Sequence, residues 1–103
     1  QAIQFIEEHY DQDISLETVA GKIGISPFYL SRLFKSEIGQ TFVEYLTQLR
    51  VQEAIKLASN TRLSIKEIAW RTGYQNPTYF CRIFKKYTGR TIGEIREQHM
   101  RLL

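Results

Sequence analysis

The sequence predicts an all-α protein of seven helices, arranged as two helix-turn-helix units joined by a long linker helix. Three features of its 103 residues support this prediction. Apolar residues recur at the three- and four-residue spacing of helix faces. One segment occurs twice, which indicates a duplicated supersecondary unit. Only two prolines and six glycines interrupt the chain, which is typical of helices joined by short turns.

The repeat shows where the two units lie. Residues 15–24 align with residues 64–73 at an offset of 49, and residues 26–45 align with residues 76–95 at an offset of 50. The identical pairs include Ser15/Ser64, Ala20/Ala69, Gly24/Gly73, Pro27/Pro77, Tyr29/Tyr79, Arg32/Arg82, Phe34/Phe84, Lys35/Lys85, Gly39/Gly89, Thr41/Thr91 and Glu44/Glu94. Both prolines of the chain fall in one matched pair, so coincidence is a poor explanation.

The sequence predicts a leading helix before the first unit, and a first helix within each unit. The leading helix carries Ile3, Ile6 and Tyr10 on one face, and because the chain does not begin with Met we expect a domain of a longer protein. The first helix of each unit begins after a serine cap and ends at a glycine, with a capping box in the second unit. The residues are Ser15 and Gly24 around the stripe Leu16, Val19, Ala20 and Ile23, then Ser64, Glu67 and Gly73 around the stripe Ile65, Ile68, Ala69 and Thr72.

The remaining helices follow the same signals. The second helix of each unit begins at Ser26-Pro27 or Asn76-Pro77 and stops at Gly39 or Gly89. Capping boxes at Thr41/Glu44 and Thr91/Glu94 then open the linker helix and the closing helix. The expected packing positions of the linker are Phe42, Tyr45, Leu46, Leu49, Ala54, Ile55 and Ala58. The expected division is 1–40 for the first unit, 41–59 for the linker and 60–103 for the second unit.

The second helices have matched outer faces. At 100° per residue their apolar stripes are Leu30, Leu33, Phe34 and Ile38 in the first unit, and Phe80, Ile83, Phe84 and Tyr87 in the second. The opposite faces carry Phe28, Ser31, Arg32 and Lys35 in the first unit, and Thr78, Cys81, Arg82 and Lys85 in the second. Each face thus ends with an arginine and a lysine.

These faces predict contact with DNA. Arg can form a bidentate pair with guanine in the major groove, where a helix-turn-helix places its second helix. Lys35, Lys85 and Lys86 lie further along, where phosphates supply salt-dependent affinity. The linker spans about 27 Å at ~1.5 Å per residue, which suits two helices in successive grooves about 34 Å apart once the width of the units is added. The alternative is a helical protein-interaction module, which needs larger apolar patches than Phe28 alone offers.

Charge, composition and the absence of certain motifs exclude several classes of protein and of site. Residues 1–17 carry five acidic and no basic side chains, whereas the remainder carries fourteen basic and six acidic ones, so the net charge of +3 hides an asymmetry. Glu7, Glu8, Asp11 and Asp13 are expected on a solvated side turned away from DNA. We expect no enzyme, because no nucleophile–base pair, carboxylate cleft or phosphate-binding glycine loop is present. Cys81 is the one cysteine, and no disulfide, metal site or cofactor is expected.

The sequence resembles the DNA-binding domain of the AraC/XylS family of bacterial transcription regulators over essentially its whole length. The resemblance rests on Ile68-Ala69, Gly73-Tyr74, Tyr79-Phe80, Arg82, Phe84-Lys85, Gly89, Thr91 and Arg96. The chain departs from the family pattern at Tyr74, Ile92 and Ile95, which are conservative for packing. Carried over from the family, the expected base contacts are Phe28, Ser31 and Arg32 in the first unit, and Pro77, Thr78, Cys81 and Arg82 in the second.

The resemblance also implies partners. These are double-stranded DNA, RNA polymerase, and an N-terminal effector or receiver domain in the parent chain, with no membrane and a cytoplasmic location. Two roles remain possible for Tyr29 and Tyr79: a hydrogen bond to a DNA phosphate, or packing of the ring with an exposed hydroxyl group. Two also remain for Phe28: contact with a thymine methyl group, or closure of the core edge. We expect Cys81 to fill space in the DNA major groove. Trp70 is expected to pack on a neighbouring helix, and His9 and His99 to lie at the surface.

Overall fold

The computed structural model describes residues 1–102 and is all-helical within that range. Its seven α-helices are α1 (Ala2–His9), α2 (Leu16–Ile23), α3 (Pro27–Leu33), α4 (Phe42–Asn60), α5 (Ile65–Arg71), α6 (Pro77–Thr88) and α7 (Ile92–Leu102). A π-helical turn, Phe34–Ile38, follows α3 directly. The predicted fold class is therefore confirmed. Among these helices none is both long and apolar enough to cross a membrane.

The chain forms two compact units, Gln1–Leu49 and Arg50–Leu103, so the division falls within α4. The expected assignment of α4 to a separate linker, with boundaries at 1–40, 41–59 and 60–103, stays a prediction. Unit 1 packs helices α1, α2 and α3 and the first half of α4 around one core. Its buried side chains are Ile6, Ile14, Val19, Ala20, Leu30, Phe34, Phe42 and Leu46.

Unit 2 has its own core, built from the second half of α4 and from α5, α6 and α7. The buried side chains are Val51, Ala54, Ala58, Ile68, Ala69, Tyr74, Phe80, Phe84 and Ile92. Phe80 and Phe84 are fully buried, with ring centres 5.8 Å apart. Burying an aromatic or aliphatic side chain of this size contributes about 1.5–3 kcal/mol, so these two rings anchor α6. Two predicted stripe residues are wrong: Ile65 and Tyr87 stand in terminal turns of their helices and are exposed.

The predicted caps form with few exceptions. Ser15, Ser26 and Ser64 each accept a hydrogen bond from the backbone N–H three residues on, at 3.1 Å in every case. The capping boxes Thr41/Glu44 and Thr91/Glu94 are complete, with all four bonds between 2.8 and 3.1 Å. The box predicted at Ser64 is half made, because the Glu67 carboxylate accepts from Arg71 Nε at 3.1 Å on the next turn. Caps of this kind stabilise a helix by about 1 kcal/mol each.

The acidic end of the chain is solvated, as the sequence predicts. Glu7, Glu8, Asp11, Asp13 and Glu17 are all exposed. One of them has an effect within unit 1: burial raises the pKa of Tyr45, and the nearby negative charge of Glu7 raises that pKa further.

Candidate nucleic-acid interface

The outer face of α3 is fixed by the cap and the core of unit 1. Ser26 Oγ accepts from Tyr29 N–H at 3.1 Å, and Pro27 occupies the first helical position, where no N–H is needed. Leu30 and Phe34 are buried, which turns that side of the helix inward. The opposite side is exposed, and its side chains are the predicted Phe28, Ser31, Arg32 and Lys35.

The outer face of α6 follows the same construction in unit 2. Asn76 Oδ1 accepts from Tyr79 N–H at 3.0 Å, and Pro77 again opens the helix. Because Phe80 and Phe84 are fully buried, the other side of α6 meets solvent. Its exposed side chains are the predicted Thr78, Cys81, Arg82 and Lys85, followed by Lys86; Pro77 is half-buried.

The two faces end differently, which the sequence repeat conceals. Gly39 N–H donates to Phe34 O, five residues back, whereas the matched Gly89 N–H donates to Lys85 O, four residues back. The last turn after α3 is therefore π-helical and α6 stays α-helical to its end. Lys35 therefore lies in the π-helical turn, whereas the matched Lys85 lies within an α-helix.

The cations of both faces are open to an anion. Within residues 1–102, no ion pair of 4.0 Å or less involves Arg32, Lys35, Arg82, Lys85 or Lys86, in contrast to Arg71 and Arg101 elsewhere. Lys85 does act at longer range on α7. The backbone N–H of Thr91 lowers the pKa of Glu94, and the positive charges of Lys85 and Arg90 lower it further.

Phe28 and the paired tyrosines all stand at the surface. Phe28 is 72% exposed, so the interpretation that it closes the core edge is wrong. The Arg32 guanidinium carbon lies 5.8 Å from the centre of the Phe28 ring. Tyr29 and Tyr79 are each about half exposed, and the Tyr79 ring packs 6.1 Å from that of Tyr74. Their roles at a phosphate stay predictions.

Comparison with known proteins agrees with this geometry. A family model described as a helix-turn-helix domain matches residues 19–98. A solved transcriptional regulator from Chromobacterium violaceum, described as AraC-type, is 28% identical with a TM-score of 0.89, over 95% of this chain and 88% of that one. The chain belongs to the AraC/XylS family. It is the DNA-binding domain of that family and a module of transcription regulation.

Two further relatives show where such domains occur. The C-terminal domain of AraT, a response regulator from Geobacillus stearothermophilus, is 42% identical with a TM-score of 0.92, over 94% of this chain and 81% of that one. The uncharacterised HTH-type transcriptional regulator YijO of Escherichia coli is 39% identical over 92% of this chain. The chain spans 34% of the length of YijO, about a third.

Arg96 has a role in this AraC/XylS domain that sequence reasoning missed. Its Nε donates to Ala58 O at 3.1 Å, and its Nη2 donates to Thr61 O at 3.3 Å and to Leu63 O. Ala58 O is among the last four carbonyls of α4, which have no partner inside the helix. The available signal was the place of Arg96 in the family pattern, which does not reveal a contact 38 residues away.

Several other candidate residues lie off the two faces. Trp70 is about half exposed, and Lys66 Nζ on the same helix lies 5.1 Å from the centre of its ring; its packing on a neighbouring helix stays a prediction. His9 and His99, both expected at the surface, are partly exposed, and His9 Nδ1 lies 2.8 Å from Phe5 O. Among the residues that the structure describes, no cluster of three His, Cys, Asp or Glu side chains could hold a metal ion.

Proposed function

We propose that this domain binds double-stranded DNA sequence-specifically as the output domain of a longer bacterial transcription regulator, with α3 and α6 as recognition helices. One observation supports this above the others. Both helices present an exposed face with an arginine in the second turn and a lysine three residues later, and within residues 1–102 none of these cations forms an ion pair.

We assign base recognition to the two arginines first. A guanidinium in the major groove can donate two hydrogen bonds to guanine O6 and N7, which discriminates against a wrong base by about 1–3 kcal/mol. Arg32 and Arg82 take this role, and the remaining base contacts are assigned to Phe28, Ser31, Pro77, Thr78 and Cys81. Because the paired side chains differ between the units, the two half-sites should differ in sequence.

We assign phosphate contact to Lys35, Lys85 and Lys86, with the hydroxyl groups of Tyr29 and Tyr79 as further donors. Each neutralised phosphate releases counterions, so these residues supply salt-dependent affinity without sequence preference. We further propose that the two recognition helices occupy successive major grooves. At ~1.5 Å per residue α4 is about 28 Å long, which supports a spacing of one turn of DNA between the two recognition helices.

The decisive experiment selects duplexes from a random library with the 103-residue chain and then tests Arg32→Ala and Arg82→Ala. Each variant should lose about 1–3 kcal/mol on the selected site and relax the preference at one guanine. Arg101→Ala is the matched control, because this exposed arginine lies on α7 and bonds Glu97. An equal loss on selected and random duplexes would show that the two arginines do not recognise bases.

The lysines are tested by salt dependence. Lys35→Ala or Lys86→Ala should weaken binding to every duplex alike and reduce the slope of log K against log salt by about 1. Lys56→Ala is the control, since this exposed lysine of α4 pairs with Glu53. Absent or salt-insensitive DNA binding would instead favour a protein-interaction module.

The whole protein is a further proposal. The likeness to a response-regulator domain supports an N-terminal receiver, or another effector domain, in the parent chain. We propose RNA polymerase as the protein partner, a cytoplasmic location, and no enzymatic activity or cofactor in this domain. Phosphorylation-dependent DNA binding by the parent chain would support the receiver.

A further inference from the structure

The Phe28–Arg32 contact is the most unusual feature of either recognition face. Phe28 is 72% exposed on a helix side whose neighbours are polar, and its ring lies 5.8 Å from the guanidinium carbon of Arg32 one turn later. This is the geometry of a cation–π contact. The matched position in α6 is Thr78, so Arg82 has no such ring and the pair belongs to unit 1 alone.

We propose that Phe28 and Arg32 act as one recognition pair, which binds a guanine together with the C5-methyl group of the pyrimidine in the neighbouring base pair. This inference rests on the proposed function. The guanine edge offers two acceptors to Arg32, whereas the thymine C5-methyl is the apolar group of the major groove. The ring would lie against that methyl group while its face holds the guanidinium.

The dimensions fit neighbouring base pairs. The two recognising groups are 5.8 Å apart, and base pairs stack about 3.4 Å apart along each strand, so both groups fall within one or two base steps. Because 5-methylcytosine carries the same methyl group, the ligand class is a methylated pyrimidine beside a guanine. Thymine and 5-methylcytosine both belong to it, and uracil and cytosine do not.

The test uses the 103-residue chain and a duplex that it selects from a random library. Loss of one guanine preference in Arg32→Ala locates the half-site of unit 1. Four duplexes then carry thymine, uracil, cytosine or 5-methylcytosine at the adjacent pyrimidine. Removing the methyl group should weaken binding about fourfold in both comparisons, thymine to uracil and 5-methylcytosine to cytosine, as expected for one buried methyl group.

Two variants separate the parts of the pair. Phe28→Ala should abolish the methyl effect in this half-site and leave the other half-site unchanged. Phe28→Leu should keep the methyl effect but reduce the guanine preference of Arg32 about two- to fivefold, since the apolar contact remains and the cation–π contact does not. Met100→Ala is the control, because Met100 is 73% exposed on α7.

The outcomes distinguish this inference from the proposed function. A selected site that shows sequence preference but no methyl effect in the wild-type chain overturns the recognition pair alone. A methyl effect that persists in Phe28→Ala also overturns it, as does an unchanged guanine preference in Phe28→Leu. Failure of the chain to select any duplex overturns the proposed function instead.

Discussion

Arg96→Ala should destabilise unit 2 by removing a cation that holds the end of α4 against the following loop. The guanidinium donates to three carbonyl oxygens, those of Ala58, Thr61 and Leu63. A positive charge at a helix C-terminus is also favourable to the helix dipole. Each charged hydrogen bond contributes about 1.5–3 kcal/mol. Because Arg96 is only half-buried, water can hydrogen-bond to the carbonyls in the variant and offset part of this loss. We expect a net loss of about 2–4 kcal/mol in the free energy of unfolding.

The single tryptophan makes this loss measurable in unit 2. Trp70 lies on α5, so its fluorescence in a urea titration follows unit 2, while circular dichroism follows the helices of both units. Arg101→Ala is the matched control on α7, since Arg101 contributes one exposed ion pair with Glu97 worth about 0–1 kcal/mol. Arg96→Lys should recover a minority of the loss, because one ammonium group cannot span three carbonyls.

A small effect would refute this reasoning. If Arg96→Ala changed the free energy of unfolding no more than Arg101→Ala does, the three carbonyl contacts would add nothing beyond hydration. An equal shift of the fluorescence and dichroism curves in Arg96→Ala would show that the two units unfold as one, whereas an earlier fluorescence transition would assign the loss to unit 2.

Three further predictions concern stability. Gly39→Ala should lower the free energy of unfolding by about 1–2 kcal/mol because φ is +82° there, whereas Gly21→Ala within α2 should raise it by about 0.4–1 kcal/mol. Neither added methyl group meets an atom within 4 Å, so urea titration of the two variants isolates the backbone effect. Glu94→Gln should lower the free energy of unfolding near pH 7, and the difference from the wild-type chain should vanish on acidification. The pKa of Glu94 is depressed in the folded chain, so its stabilising contribution is present above the unfolded pKa of about 4.3 and is lost as pH falls through the folded pKa. A pH-independent difference would contradict this. Thr72→Val should change stability by less than about 1 kcal/mol in thermal unfolding, since the buried hydroxyl donates to Ile68 O and Ala69 O, which also accept backbone N–H bonds; a larger loss would show that the hydroxyl bonds hold the end of α5.

Most of the fold was predictable because its signals are local. Caps, stripes and terminal glycines act within one or two turns of helix, so their spacing in the sequence is their spacing in space. The exposed faces of α3 and α6 followed from the same periodicity, and the repeat predicts the same face in each of its two copies. Ile65 and Tyr87 were misplaced because periodicity assigns a face to a terminal turn without knowing whether a neighbour covers it.

Other features of the fold and of the candidate interface could not be predicted, because they depend on choices between competing partners. Glu67 could cap α5 or pair with Arg71, and it bonds Arg71. Phe28 could close the core or stand at the surface, and the packing of Leu30 and Phe34 leaves it outside. The assignment of particular side chains to bases and phosphates depends on a DNA partner and stays a prediction.

The sequence by itself determined the seven helices, the duplicated unit and the cationic face on each second helix, because helix formation and amphipathicity are set by residues three or four apart. Tertiary structure decided that Phe28 stands outside the core and that Arg96 donates to three carbonyl oxygens 33 to 38 residues away. The spacing of nearby residues sets which side chains share a helix face. It does not set which part of the chain covers that face, or which distant carbonyls an arginine reaches.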